Sequence, residues 1–218
     1  TNTLVYSFGR VVGEIGLGLG LALLLNEKIK GDGIAQGILL SPWVVPSVVA
    51  AIVWRWMLNN PFGIINAALS TLGITPVTFL GDLTWAMPTV IIVSVWKGFP
   101  LITLMILAAL KTVREDLMEA ATLDGAGTVA RFRHITLPSI WPLLSLAILM
   151  SIIWSFQYFD LPWLLTQGGP FYTTETLAVN IYRTGFFNFF LGQACAIATI
   201  MFLFLSVIIT PYLKRALR

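Results

Sequence analysis

The sequence predicts an all-α membrane protein, and three observations carry that prediction. Of 218 residues, 57% are hydrophobic and only 11% charged, less than half of the about 25% charged content that keeps a soluble domain wet. Five apolar stretches are each long enough to cross a bilayer as a helix of about 20 residues. Of the basic residues outside those stretches, all but Arg183 fall on alternate connections or in the tail. A mean hydropathy of +0.87 agrees. The apolar content excludes a disordered chain, and one Cys (Cys195) with no long basic run excludes a disulfide scaffold and a nucleic-acid module.

The predicted spans are 4–25, 34–58, 85–110, 140–160 and 188–213. Membrane β-strands are shorter and alternate in polarity, so these stretches read as helices. Pro42 and Pro46 in the second, Pro88, Gly98 and Pro100 in the third and Pro142 in the fourth are breakers. They survive in lipid where neighbouring helices or a wet cavity satisfy the freed backbone groups. Lys28 and Lys30 lie in the first connection, Lys111, Arg114, Arg131 and Arg133 in the third, and Lys214, Arg215 and Arg218 in the tail. The opposite connections hold only Arg183, so the two basic loops and the carboxyl end are expected in the cytoplasm. An outside amino end with no Met and no signal-like segment leads to the expectation of at least one further span before Thr1. On the outer side, Asn59-Asn60-Pro61-Phe62-Gly63 and Gly168-Gly169-Pro170 are turn chemistry, and 64–72 suits a short interfacial helix.

The third connection, 111–139, has a pattern of its own. Residues 113–123 are good helix formers, Asp124-Gly125 permits a sharp reversal, 126–134 suits a second short helix, and Pro138 is expected to end the unit. Ala120, Ala121, Gly125, Ala126 and Gly127 keep the tip narrow, so another backbone could approach it closely. By itself this fits either a docking element or a folded connector.

The string EAATLDGAGTVARFRHITLPSIWP resembles the EAA–DGA–F–I–LP–P signature of permease subunits of binding-protein-dependent ABC importers. Leu165-Thr166-Gln167-Gly168-Gly169-Pro170, Asn60-Pro61-Phe62-Gly63 with Asn66, Leu40-Ser41-Pro42-Trp43-Val44-Val45-Pro46 and Trp96-Lys97-Gly98-Phe99-Pro100 look like the sugar branch, most closely the first, maltose-type subunit of a heterodimeric pair. The resemblance covers nearly the whole chain and implies a type I ABC importer transmembrane domain over 1–218, with 111–139 as its coupling loop. It implies a multi-pass protein of a bacterial or archaeal cytoplasmic membrane. Its partners would be a second permease subunit, two ATP-binding subunits, an extracytoplasmic binding protein, membrane lipid and a sugar, with no nucleic acid. Glu119, Ala120, Ala121, Asp124, Gly125, Ala126 and Phe132 would contact the ATPase. For Asp124, capping the following helix is a compatible role.

No Gly-Lys pair occurs, so there is no phosphate loop. The resemblance therefore implies a subunit that is not itself an enzyme and carries no cofactor, with ATP and Mg held by the partner ATPase. The lone His134 has no Cys or His neighbours in sequence, and no metal site is expected. A glycerol-3-phosphate-type permease is the alternative within the family. An ion-coupled secondary transporter is the alternative outside it, though inverted repeats are not evident.

Charges within spans need reasons, since each costs a few kcal/mol or more at mid-bilayer. Arg10 and Glu14, spaced i, i+4, can pair. Arg55, between Trp54 and Trp56, can snorkel. Lys97 is too central to snorkel and reads as facing a wet cavity, or as pairing with an acid such as Asp160. Ser151, Trp154, Ser155 and Tyr158 fall on one face of the fourth span, and Ser94, Lys97, Gly98 and Leu101 repeat the spacing on the third. The resemblance implies that these positions, with Ser47, line a sugar path of hydroxyl-bonding groups and stacking rings. Packing between helices is the alternative for each.

Overall fold

The computed structural model describes residues 1–27 and 32–216; Lys28, Lys30 and Arg218 lie outside the described residues. Among the described residues the chain is helical, without strands. The order is α1 (Asn2–Asn26), α2 (Asp32–Val44), α3 (Ser47–Met57), α4 (Ile64–Thr71), α5 (Ala86–Leu110), α6 (Glu115–Leu123), α7 (Thr128–Arg131), α8 (Leu137–Gln157), α9 (Asp160–Thr166), α10 (Leu177–Tyr182) and α11 (Leu191–Ala216). π turns occupy Phe132–Thr136 and Arg183–Phe187.

Four of these helical runs are long and apolar enough to cross a membrane, and a fifth crossing forms if α2 and α3 count as one. The second predicted span is thus not one helix. It breaks at Val45-Pro46 with a bend of 90°, because proline supplies no N–H and pushes the preceding residue out of the α region. The fourth span also stops earlier than expected, at Gln157, and α9 begins after a two-residue break. Pro138 does not end the loop unit. The run Thr128–Gln157 is continuous, and the wide π turn over Phe132–Thr136 ends two residues before Pro138, which lacks the N–H a regular turn would use.

The chain divides into two compact units. The first comprises Thr1–Arg10, Val45–Val95 and Ile152–Arg218. Within it α3 packs on α9 and α10 on α11, while Gly9 lets Ile91 approach a built Cβ position to 3.0 Å. Asn66, buried on α4, donates to Val77 O at 3.0 Å and accepts from Val77 N–H at 2.9 Å, so one side chain pairs a loop strand as a backbone would. Gly63 is required there, since a Cβ would fall 2.4 Å from Asn59 O and 2.5 Å from Met57 O. The signature after α9 is a stapled corner. Gln167 ends α9 in the left-handed region, the Gly169-Pro170 peptide is cis, and buried Thr174 Oγ1 donates to Gly169 O at 2.7 Å. Arg183 closes it, donating to Gln167 O and, at 2.8 Å, to Glu175.

The second unit comprises Val11–Val44 and Trp96–Ser151. Its core is Ala22, Ile102, Ile106, Leu107, Ala109, Leu110, Ile140 and Leu144. Gly18 lets α1 and α5 approach closely, with Ile102 3.0 Å from where a Cβ would be, the small-residue contact that membrane helices favour. The large apolar side chains left exposed on α1 and α11, such as Phe8, Phe202 and Val207, suit a lipid or subunit face in a membrane protein.

Candidate functional site

The loop in the second unit starts with Glu115 and Asp116 in the first turn of α6, where backbone dipoles favour anions. Arg114 Nε donates to Asp116 at 3.0 Å, and that hydrogen bond holds the Asp116 carboxyl below its usual range. At the other end of α6, Gly125 N–H donates to Thr122 O at 3.1 Å and Ala126 N–H to Ala121 O at 2.9 Å. Those paired bonds are a Schellman cap, which requires a left-handed residue in the position of Gly125; its φ is +77°. Asp124 is the C-cap of α6. It does not cap the following helix, which begins at Thr128 with Gly127 at its N-cap. The helix that follows accordingly begins later than the expected 126 and, instead of ending at 134, runs on through the π turn into α8.

Arg131 Nη1 donates to Thr122 Oγ1 at 2.8 Å, and Thr122 Oγ1 donates to Met118 O at 2.8 Å, tying α7 to α6. Glu119, Ala120, Asp124 and Gly125 are exposed, Ala121, Ala126 and Phe132 half-buried. Two exposed residues of this loop escape the sequence pattern. Leu123 is 89% exposed and Val129 79% exposed, one on each side of the capped turn. The available signal is a large aliphatic residue among small and charged ones in a basic loop. His134 Nδ1 lies 3.0 Å from Ala130 O. Among the described residues no group of three His, Cys, Asp or Glu side chains is placed to hold a metal.

The predicted membrane-path residues divide between the units. In the first, Ser94 is fully buried and accepts from Tyr6 OH at 2.9 Å. Ser47 opens α3, and Tyr158 carries the Arg10 guanidinium over its ring at 4.0 Å, a cation–π contact. Ser155, buried, donates to Ile152 O at 2.7 Å, and Trp154 is 37% exposed. An open cleft of about 420 Å³ in this unit gathers Arg55, Asn59, Asn60, Thr166 and Gln167, so the Asn60 and Thr166 signatures meet in one place.

In the second unit, Ser151 is fully buried and donates to buried Glu14 at 2.6 Å. Gly98 and Leu101 are half-buried. Lys97 is 9% exposed, and its Nζ donates to Pro42 O at 3.0 Å and to Trp43 O at 2.7 Å. The periodicity turns Lys97 toward a wet cavity; the structure gives its ammonium backbone carbonyls.

The model of the "Binding-protein-dependent transport system inner membrane component" family matches residues 14–218. The chain is 40% identical over 215 residues to the trehalose/maltose transport system permease protein MalF of Thermococcus litoralis, covering 97% of this chain and 72% of that one. It superposes with a TM-score of 0.89 and 26% identity on a chain of a bacterial ABC transporter involved in import of the acidic polysaccharide alginate, covering 99% of this chain and 77% of that one. A bacterial alginate ABC transporter in complex with an alginate pentasaccharide-bound periplasmic protein gives a TM-score of 0.80 at 28% identity, over 95% of this chain and 72% of that one.

Proposed function

The chain belongs to the family of binding-protein-dependent transport system inner membrane components, and from that premise we propose that it is one permease subunit of an ATP-driven ABC importer whose cargo is a di- or oligosaccharide. The observation that carries the proposal is the exposed, Schellman-capped helix pair at 115–131, held as one piece by Arg131 and Thr122. A rigid element with small residues at its turn and two exposed aliphatic side chains beside them has the form of a docking lever. The sugar class is supported by relatives that carry trehalose, maltose and alginate.

In this reading a separate pair of ATPase subunits holds ATP and Mg, and closes on binding them. The 111–139 loop moves with that pair through Glu119, the Asp124-Gly125-Ala126 turn and Phe132, with Leu123 and Val129 beside them. A second permease subunit completes the path, and an extracytoplasmic protein delivers the sugar to the outer loops. The basic loops and carboxyl end face the cytoplasm. ATP binding favours the outward-open state by its differential affinity for the two states, and hydrolysis resets it. Ser47, Ser94, Trp154, Ser155 and Tyr158 in the first unit, and Ser151, Gly98 and Leu101 in the second, are each the path-lining candidates of their own unit or support the groups that line it. Purification in mild detergent tests this reading. A co-purifying ATPase with a phosphate loop supports it, and a chain that is stable, inserted and free of any ATPase refutes it.

A further inference from the structure

We infer that Lys97 is a positioning residue whose ammonium replaces the backbone donor that Pro46 removes, and so fixes the break in the second span. In an unbroken helix the carbonyl of Pro42 accepts from the N–H of residue 46, and residue 46 is proline. The carbonyl of Trp43 accepts from residue 47, which instead opens α3. Lys97 Nζ reaches both of these oxygens, at 3.0 and 2.7 Å. The donor and the need for it lie 55 and 54 residues apart in sequence, so local geometry does not force the match.

Three further features make lysine suit the task. Its ammonium carries three donors on a flexible stem, enough to serve both carbonyls together. A cation at the carbonyl end of a helix is favoured by the aligned peptide dipoles. The proline ring at 46 also disfavours the α conformation at Val45, and α2 ends at Val44, so the helix does not run on to cover these two carbonyls. A charge inside a span is costly, and here it offsets carbonyls that would otherwise be exposed to a dry setting. Lys97 then acts on transport through the break and not by contact with sugar, while the other proposed path residues keep their roles.

A stability cycle on the assembled complex tests this with Lys97→Met, Lys97→Arg, Pro46→Ala and the double variant Lys97→Met/Pro46→Ala. Lys97→Met is expected to lower the thermal midpoint by roughly 4–8 °C, as for hydrogen bonds to a charged group in a chain of this size. Lys97→Arg retains most of that stability. Pro46→Ala returns the N–H and releases Val45, so the double variant recovers most of the loss. If Lys97→Met costs as much in the Pro46→Ala background as it does with Pro46 in place, the inference is overturned. If Lys97→Met does not assemble, assembly of the double variant is the readout: recovery supports the inference, and failure beside an assembling Pro46→Ala overturns it. Uptake of labelled maltose and trehalose by each variant separates a sugar contact, which raises KM equally in both backgrounds. The stability cycle needs no transported sugar, so it stands or falls apart from the import reading.

Discussion

The proposed coupling loop is tested most finely at Gly125, because its environment isolates a single physical effect. Its φ is +77°, and a Cβ built there meets no atom within 4 Å. A substitution therefore costs only the left-handed backbone conformation, with no clash added. That cost is about 1 kcal/mol for Ala and about 2 kcal/mol for a β-branched residue, while Asn tolerates the region best. The capped turn loses a factor of about 5 in Gly125→Ala and about 30 in Gly125→Val relative to its frayed alternatives. The assay is the full complex in proteoliposomes, scored for ATPase retained through purification and for sugar carried per ATP hydrolysed. Both should fall in the order Gly, Asn, Ala, Val at equal membrane insertion. Val matching Gly, or Asn falling to the level of Val, would refute the claim that the Schellman geometry is what the partner reads.

Other perturbations address other parts of the molecule. Leu123→Ser should leave the thermal midpoint unchanged, because the side chain is 89% exposed, yet reduce ATPase retention through purification. Ser151→Ala removes a buried 2.6 Å bond to Glu14 Oε2, a loss of about 1 kcal/mol or more, and thermal unfolding of the complex should register it. Asn66→Ala deletes both bonds to Val77; hydrogen exchange should accelerate at the Val77 amide while the α5 amides keep their protection.

The local chemistry of the coupling loop is readable from sequence because turns are local. Asp124-Gly125-Ala126 folds by bonds spanning five residues or fewer, and Gly in that place has one principal use. Asn66 and Gly63 are different: the motif is visible, but its purpose depends on Val77 and Asn59 meeting in space. The break in the second span escapes a hydropathy reading because Pro46 sits in an unbroken apolar run, and hydropathy counts composition without counting N–H groups. Pro138 misleads in the opposite direction. A π turn before it lets the helix continue, so a residue that stops isolated helices becomes an internal position. Lys97 is the clearest non-local case, since its spacing with Ser94, Gly98 and Leu101 places it on a polar face but does not reveal that its partners are the carbonyls of Pro42 and Trp43. The short helices α9 and α10 fall in what reads as a loop, because at seven and six residues they are too short to show a period.

The central claim is that the 111–139 loop grips a separate ATPase, and a photo-crosslinking side chain at Leu123 measures it directly in the native membrane. Irradiation should join this chain to a protein with a phosphate loop, in a yield that changes when ATP is added, while the same crosslinker at Val207 on α11 gives no such adduct. A fully inserted chain that yields no ATPase adduct from Leu123 would contradict the account.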